Sequence, residues 1–293
     1  EKRKYDDFGV LMRANTQSRY IEEAFLQNNI PYTMSGGTSF FERKEIKDVI
    51  SYLRVISNHD DDINLLRIIN TPRRGIGRAA IQLMNEAAEL NGCTLWNAID
   101  YLIHAEASKA SDILKEDLQN FVNIIEENRQ KLLSGRGLAN KVRQFVDDID
   151  YKSYLVSEYP KSEKAVSYKL KNIEEFTQFI DTWENDPDNT NPNLYNYLNR
   201  ITLASHDNGD DESNKGKVNL MTIHASKGLE FPVVFIAGVE EGLIPHARSV
   251  EENNGDVEEE RRLFYVAITR AQEKLIMTSC QKRKRRQFKN DDT

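Results

Sequence analysis

Apolar residues near the amino end first run together, in Phe8-Gly-Val-Leu-Met-Arg13, and then recur on one helical face as Ile21, Ala24 and Phe25 within Ser18–Asn28. That pattern predicts a strand, a short helix and, at Ile30–Met34, a second strand closing on Gly36-Gly37. The carboxyl end repeats it: Val218–Ile223, Val233–Ala237 and Lys274–Ser279 read as strands, with a helix over Glu258–Gln272. Leu263, Phe264, Ala267, Ile268 and Ala271 form the expected core face of that helix. An uninterrupted apolar strand followed by helix and strand is the pattern of a parallel sheet covered on both faces. Residues 38–204 are helical in pattern instead, most clearly over Lys44–Ile56, Arg78–Leu90, Leu114–Leu133 and Lys169–Trp183. Pro72, Gly92, Gly135, Gly137 and Pro160 break them, and Ser205–Gly216 reads as a polar, acidic linker. The expected fold class is therefore α/β. One parallel-sheet domain is built from both chain ends, residues 1–37 and 214–293, and a mostly α-helical insertion domain occupies 38–213. Gly36-Gly37 and Ser205–Gly216 are the expected hinges.

Composition changes this picture little, but charge distribution changes it more. The 40 Lys and Arg against 47 Asp and Glu give a net charge of −7, a mild argument against nucleic acid. Base is nevertheless concentrated at Arg73-Arg74 with Arg78 and at Lys282-Arg-Lys-Arg-Arg286, and acid at Asp207–Glu212 and Glu251–Glu260. A local phosphate-binding stripe is compatible with a negative total. No apolar run approaches the ~20 residues that span a bilayer, so no membrane is expected. The Glu-Lys-Arg-Lys start cannot serve as a signal peptide's apolar segment. A chain that begins with Glu1 and reaches a strand by Phe8 is expected to be a fragment of something longer. The 2 cysteines lie far apart without metal-ligand spacing, which points to a reduced, cytoplasmic compartment.

For chemistry, the first finding is absence. There is no G-x-x-x-x-G-K-[ST] phosphate loop, and the 5 histidines have neither metal spacing nor a nucleophile partner. On its own, the chain carries no complete active site. Three segments still attract attention. Val218–Phe231 runs a strand out at Ile223 and follows it with His224, Ser226, Lys227 and Glu230, at the edge where open α/β sheets bind ligands. An ordinary polar loop carries the same residues. Glu258–Ala271 begins with glutamates suited to a helix N-terminus and places Arg270 at the edge of its core face, where a snorkelling arginine would also sit. Asn70-Thr-Pro-Arg-Arg-Gly-Ile-Gly77 is a glycine turn opening a helix, able to offer backbone N–H groups to an anion or simply to turn.

Taken in order, Leu11–Arg19, Gly36–Asp48, Thr222–Phe231 and Tyr265-Val-Ala-Ile-Thr-Arg-Ala271 resemble the C-terminal half of the UvrD/PcrA/Rep family of superfamily 1 DNA helicases, over about Asp6 to Thr278. The resemblance implies a second RecA-like domain split by a helical insertion. It implies that His224 contacts single-stranded DNA, that Glu230 reaches the nucleotide ribose, and that Arg270 is an arginine finger on the γ-phosphate of ATP. Arg13 and Asn15 match family residues that hold the single strand's backbone. Gly75-Ile76-Gly77, with Arg73 and Arg74 beside it, matches a helix-hairpin-helix contact to duplex phosphates. The family's phosphate loop and Mg²⁺-binding acids belong to a first RecA-like domain that would precede Glu1, and a second finger arginine is likewise absent. Ala267 stands where glycine is common.

The implied function is an ATP-dependent, 3′ to 5′ DNA helicase of repair or replication, inactive as this piece alone. Its expected partners are single-stranded and duplex DNA, the missing domain, and repair or replication proteins. Two other classes stay open: a non-enzymatic duplex-binding module using Arg73–Arg78, and a protein-interaction domain with a partner-sensitive helical surface. The basic tail Lys282–Arg286 is expected to be a disordered end more than a DNA contact.

Overall fold

The computed structural model describes residues 3–204, 216–252 and 257–281. Most of the Ser205–Gly216 linker, the acidic run Asp207–Glu212, the boundary expected at 213/214 and the basic tail Lys282–Arg286 lie outside the described residues. Along the chain the elements are β1 (Phe8–Met12), α1 (Ser18–Gln27), β2 (Tyr32–Ser35), α2 (Lys44–Ser57), α3 (Asp62–Ile68), α4 (Arg78–Asn91) and α5 (Leu95–His104). Then come α6 (Asp112–Leu133), α7 (Leu138–Asp148), α8 (Tyr151–Glu158), α9 (Glu163–Glu184) and α10 (Leu194–Ala204). The chain finishes with β3 (Val218–Thr222), β4 (Phe231–Ala237), α11 (Ala247–Glu252), α12 (Glu258–Ile268) and β5 (Ala271–Thr278). It divides into two compact units, Glu1–Phe40 with Leu203–Thr293, and Phe41–Thr202.

The first unit holds a sheet of order β2-β3-β1-β4-β5 in which every pairing is parallel, the α/β class that the sequence predicts. Alternation along β1 explains why it sits centrally. Val10 and Met12 face one way with Tyr32, Val218 and Leu220, where Ile21 and Phe25 of α1 pack on them. Leu11 faces the other way with Met221, Val234 and Ile236, and α12 covers that side with Leu263, Phe264 and Ala267. Behind α1, the buried carboxylate of Glu22 accepts from the Tyr32 hydroxyl (2.9 Å), the Ser39 hydroxyl and the Phe40 amide (3.0 Å).

One expected element ends early. The helix foreseen through Gln272 stops at Ile268, Thr269 and Arg270 turn, and Ala271 opens β5 opposite Phe231. Ile268 stays 37% exposed, and Ala271 reaches the core from the strand and not from the helix. Backbone pairing with β4 has overridden a helical period that happened to continue past the true end.

In the second unit α2 is buried on nearly every side, with Ile46, Val49, Tyr52, Leu53, Val55 and Ile56 all shielded from solvent. Its two buried acids tie it to its neighbours. Asp48 accepts from the Tyr151 hydroxyl (2.6 Å) and Lys44 Nζ (3.1 Å) and pairs with Arg67 Nη2 (2.7 Å). Glu45 accepts from Lys169 Nζ (2.7 Å) and Asn172 Nδ2 (2.5 Å). Side chains of Asp61, Ser111 and Ser162 cap α3, α6 and α9. The Ser162 cap starts α9 at Glu163, six residues before the apolar period becomes clear at Lys169. Asp48→Ala would strand the Tyr151 hydroxyl and two cations. It is expected to cost about 2–4 kcal/mol, read as a lower urea midpoint with unchanged slope.

Candidate functional site

Because the sheet is parallel, all strands leave it at one edge and enter at the other. Arg13 and Asn15 follow β1, His224 follows β3, and Met12 is paired with Thr222, so these three residues share the carboxyl edge. The exit of β1 is tightly held: Gln17 Oε1 accepts from the amides of Arg13 (3.0 Å) and Ala14 (3.1 Å), while its Nε2 donates to the Ala237 carbonyl (3.3 Å). Sequence reasoning gave Gln17 no role, since nothing local marks a side chain that spans two strand ends.

Asn15 Nδ2 donates to the Thr38 carbonyl at 3.1 Å. His224 is exposed on a short 3₁₀ turn shaped by two hydroxyls, Thr222 Oγ1 accepting from Ala225 N (3.3 Å) and Ser226 Oγ donating to the Ile223 carbonyl (2.7 Å). Ser226 is fully buried, so it builds the turn and does not face a ligand.

The glycines foreseen as a hinge are close-approach residues. A Cβ on Gly36, whose φ is +73°, would lie 2.1 Å from the Ala225 Cβ, and one on Gly37 would lie 2.5 Å from Asn15 Oδ1. They let the exit of β2 press against both the His224 turn and Asn15.

Glu230 and Arg270 occupy the other edge. Each immediately precedes its strand, and Phe231 is paired with Ala271. A strand the length of β4 spans roughly 20 Å, so the expectation that Glu230 joins His224 at the carboxyl edge does not hold. Thr222–Phe231 crosses from one edge to the other and delivers His224 at its start and Glu230 at its end.

Nor does Arg270 lie where expected, at the edge of the core face of α12. It lies past the helix end, its guanidinium donating to the carbonyls of Val266 and Leu229 and to Thr269 Oγ1, each at 3.0 Å. Its own carbonyl accepts from Phe231 N at 2.9 Å, so Arg270 brackets residues 229–231 with side chain and main chain. Among the described residues no carboxylate pairs with it. A fixed guanidinium held only by neutral acceptors is a ready partner for an added anion, and the exposed Glu230 beside it offers acceptors to hydroxyl groups. A nucleoside triphosphate fits that donor set. Among the described residues, no three His, Cys, Asp or Glu side chains converge as they would around a metal ion. No helix among them is long and apolar enough to cross a membrane.

Arg13 has the strongest electrostatics of the group. Its Nε and Nη2 clasp the carboxylate of Glu260 at 2.6–3.1 Å, and Nη2 also donates to Ser249 Oγ at 3.2 Å. Burial alone would push the Glu260 pKa up. The Arg13 hydrogen bonds, the His246 amide, the Arg13 charge and the Ser249 hydroxyl outweigh it and hold the pKa down to about 2. A depressed carboxylate stabilises the fold fully above its ordinary value of 4.5 and loses that contribution as pH falls toward about 2. Between those pH values the Glu260→Gln variant is therefore expected to lose less stability than the parent, measured by urea unfolding.

In the helical unit the turn before α4 sorts its own residues. Ile76 is fully buried and can offer only backbone. Gly75 (φ +78°) would drive a Cβ to 2.4 Å from Asp117 Oδ2. Arg74 turns inward, Nη1 donating to the Pro72 carbonyl (3.0 Å) and its guanidinium carbon lying 5.7 Å from the ring centres of both Tyr52 and Phe121. Arg73 is 78% exposed and pairs with Glu158 at 2.8 Å. Gly77 precedes the first residue of α4, Arg78, which is exposed.

The family model for the UvrD-like helicase C-terminal domain matches residues 1–282. ATP-dependent DNA helicase Rep of Salmonella typhimurium is 41% identical over 285 residues, covering 97% of this chain and 41% of that protein. ATP-dependent DNA helicase PcrA of Bacillus subtilis is 40% identical over 291 residues, covering 96% of this chain and 38% of that protein. Rep of Escherichia coli is 40% identical over 288 residues, with 97% and 41% covered. The chain thus spans about two fifths of the length of the curated relatives it matches.

Proposed function

This chain belongs to the UvrD-like helicase C-terminal domain family, and from that premise we propose that it is the second half of an ATP-driven motor that translocates on single-stranded DNA and opens duplexes. Arg13, Asn15 and His224 grip the strand's backbone at the carboxyl edge of the sheet. Glu230 and Arg270 serve ATP at the amino edge, Glu230 accepting from the ribose and Arg270 meeting the γ-phosphate. ATP would supply the γ-phosphoryl group whose transfer to water, with ADP leaving, drives the cycle; a first RecA-like domain on the same polypeptide would supply the phosphate loop and the Mg²⁺ ligands. Neutralising charge that develops only in the transition state is the task of Arg270. The reading places the motor in the cytoplasm, with 3′ to 5′ movement and a role in DNA repair or replication alongside proteins of those processes.

The observation that carries this reading is the Thr222–Phe231 crossing: one ten-residue stretch links His224 at the carboxyl edge to Glu230 at the amino edge, and Arg270 clamps its far end. The chain alone is then expected to bind oligo-dT weakly and salt-sensitively and to hydrolyse no ATP. Turnover by the purified chain that disappears on Arg270→Ala would refute the division of labour.

For the duplex contact, Arg73 and Arg78 are the proposed phosphate ligands, with the backbone of Gly75–Gly77 beside them. Arg73→Ala and Arg78→Ala should each weaken duplex binding alike for all sequences and lower the salt slope by about 0.9. Arg74→Ala should instead lower the thermal midpoint, because its ring and carbonyl contacts are internal.

A further inference from the structure

Glu260 belongs to the helix that leads to Arg270, yet its carboxylate is spent on Arg13, a residue of the opposite site 247 positions away in sequence. Glu260 is 4% exposed and the Arg13 side chain 17%. The clasp uses the Nε–Nη2 edge of the guanidinium, and Ser249 takes a further bond from Nη2. Among the described residues Nη1 makes no hydrogen bond. A guanidinium has five N–H donors in one rigid plane, so fixing one edge aims the other. The second Glu260 oxygen is itself held by the His246 amide at 3.0 Å, which prevents the carboxylate from turning with its partner.

We propose that Glu260 is a positioning residue for nucleic-acid binding: it holds Arg13 by one edge so that Nη1 is presented, already oriented, to a phosphodiester oxygen of the single strand. The inference rests on the reading of Arg13 as a strand contact given above. The alternative, in which the phosphate pulls Arg13 off Glu260, fails on magnitude. Stripping a buried carboxylate of its bidentate partner costs far more than one solvent-exposed phosphate contact returns. Arg13 therefore stays clasped when DNA arrives, and the exit of β1 and the first turn of α12 meet the strand as one piece.

The test is binding of fluorescein-labelled oligo-dT by anisotropy at low salt, with folding of each variant checked by circular dichroism and thermal midpoint. Arg13→Ala is expected to weaken binding about tenfold. Glu260→Gln leaves one acceptor on a loosened guanidinium and is expected to weaken it by about threefold to tenfold. In the Arg13→Ala background, however, Glu260→Gln should change affinity no further. A merely structural role for Glu260 would lower affinity in both backgrounds, and that result overturns the proposal. Arg13→Lys keeps the charge and can satisfy Glu260, but it lacks a second fixed edge. It should bind as poorly as Arg13→Ala, and binding at the parental level would overturn the proposal even if Glu260→Gln does not fold. A parent chain that binds oligo-dT and weakens with Arg13→Ala but not with Glu260→Gln defeats this inference alone. A parent chain with no oligo-dT binding defeats the strand-contact reading as well.

Discussion

Arg270→Ala in the complete motor is expected to lower DNA-stimulated ATP turnover by about 10³–10⁵ while shifting the affinity for ATP by no more than a few-fold. The size follows from the part this side chain would play. A guanidinium that meets charge present only in the transition state contributes to turnover and little to ground-state binding. The structure adds a second expectation. Three donors of Arg270 are already fixed by Val266, Leu229 and Thr269, so its head is oriented before any nucleotide arrives. Arg270→Lys keeps a positive charge but cannot reproduce those three bonds, and should recover only a small part of the loss. Steady-state hydrolysis at saturating single-stranded DNA, with nucleotide affinity measured separately, checks both. Equal losses in turnover and in ATP affinity would assign Arg270 to ground-state binding instead.

Gly36→Ala is expected to be the most damaging small substitution at the strand edge. The new methyl would have to occupy space 2.1 Å from the Ala225 Cβ, on a backbone with φ of +73°. Backbone strain of about 1–2 kcal/mol adds to an overpacking cost of about 1–3 kcal/mol. The relief available is displacement of the turn that carries His224. Stability should fall by roughly 2–5 kcal/mol, and oligo-dT affinity should fall about tenfold or more, of the order of one lost charge-assisted contact. Gly92→Ala is the control: its φ is +59° but nothing lies within 4 Å of an added Cβ. It should cost only that backbone strain, about 1–2 kcal/mol, and leave DNA binding unchanged. Urea unfolding and anisotropy on the two variants separate strain from collision.

Much of this fold was legible because it obeys local periods. The consecutive apolar run at β1, the three-and-four spacing of α2 and the break at Gly92 are each properties of a few neighbouring residues. What stayed hidden depends on distant partners. The end of α12 is set by Ala271 pairing with Phe231, which no helical period reveals. Glu22, Glu45, Asp48 and Glu260 look like solvated acids in sequence and are buried, each satisfied by groups from other elements.

The candidate site divides the same way. The Thr222–Phe231 and Tyr265–Ala271 segments stand out in sequence, but that His224 and Glu230 end at opposite edges, with Arg270 beside Glu230, follows only from the strand order and the crossing past β1. Gly36-Gly37 carries a constraint that two adjacent glycines do not reveal in sequence: Ala225 and Asn15 leave no room for a side chain at either position. Arg74, grouped with Arg73 by sequence, turns inward onto Tyr52 and Phe121.

The central claim is that this chain supplies one half of a nucleotide site and one half of a strand grip. It is tested most directly by measuring ATP hydrolysis after mixing the chain with a separately expressed first half of the same motor, with and without oligo-dT. DNA-stimulated turnover that neither half shows alone, and that Arg270→Ala removes, is the predicted result. A demonstrably associated pair that hydrolyses no ATP, or one whose turnover survives Arg270→Ala, would contradict it.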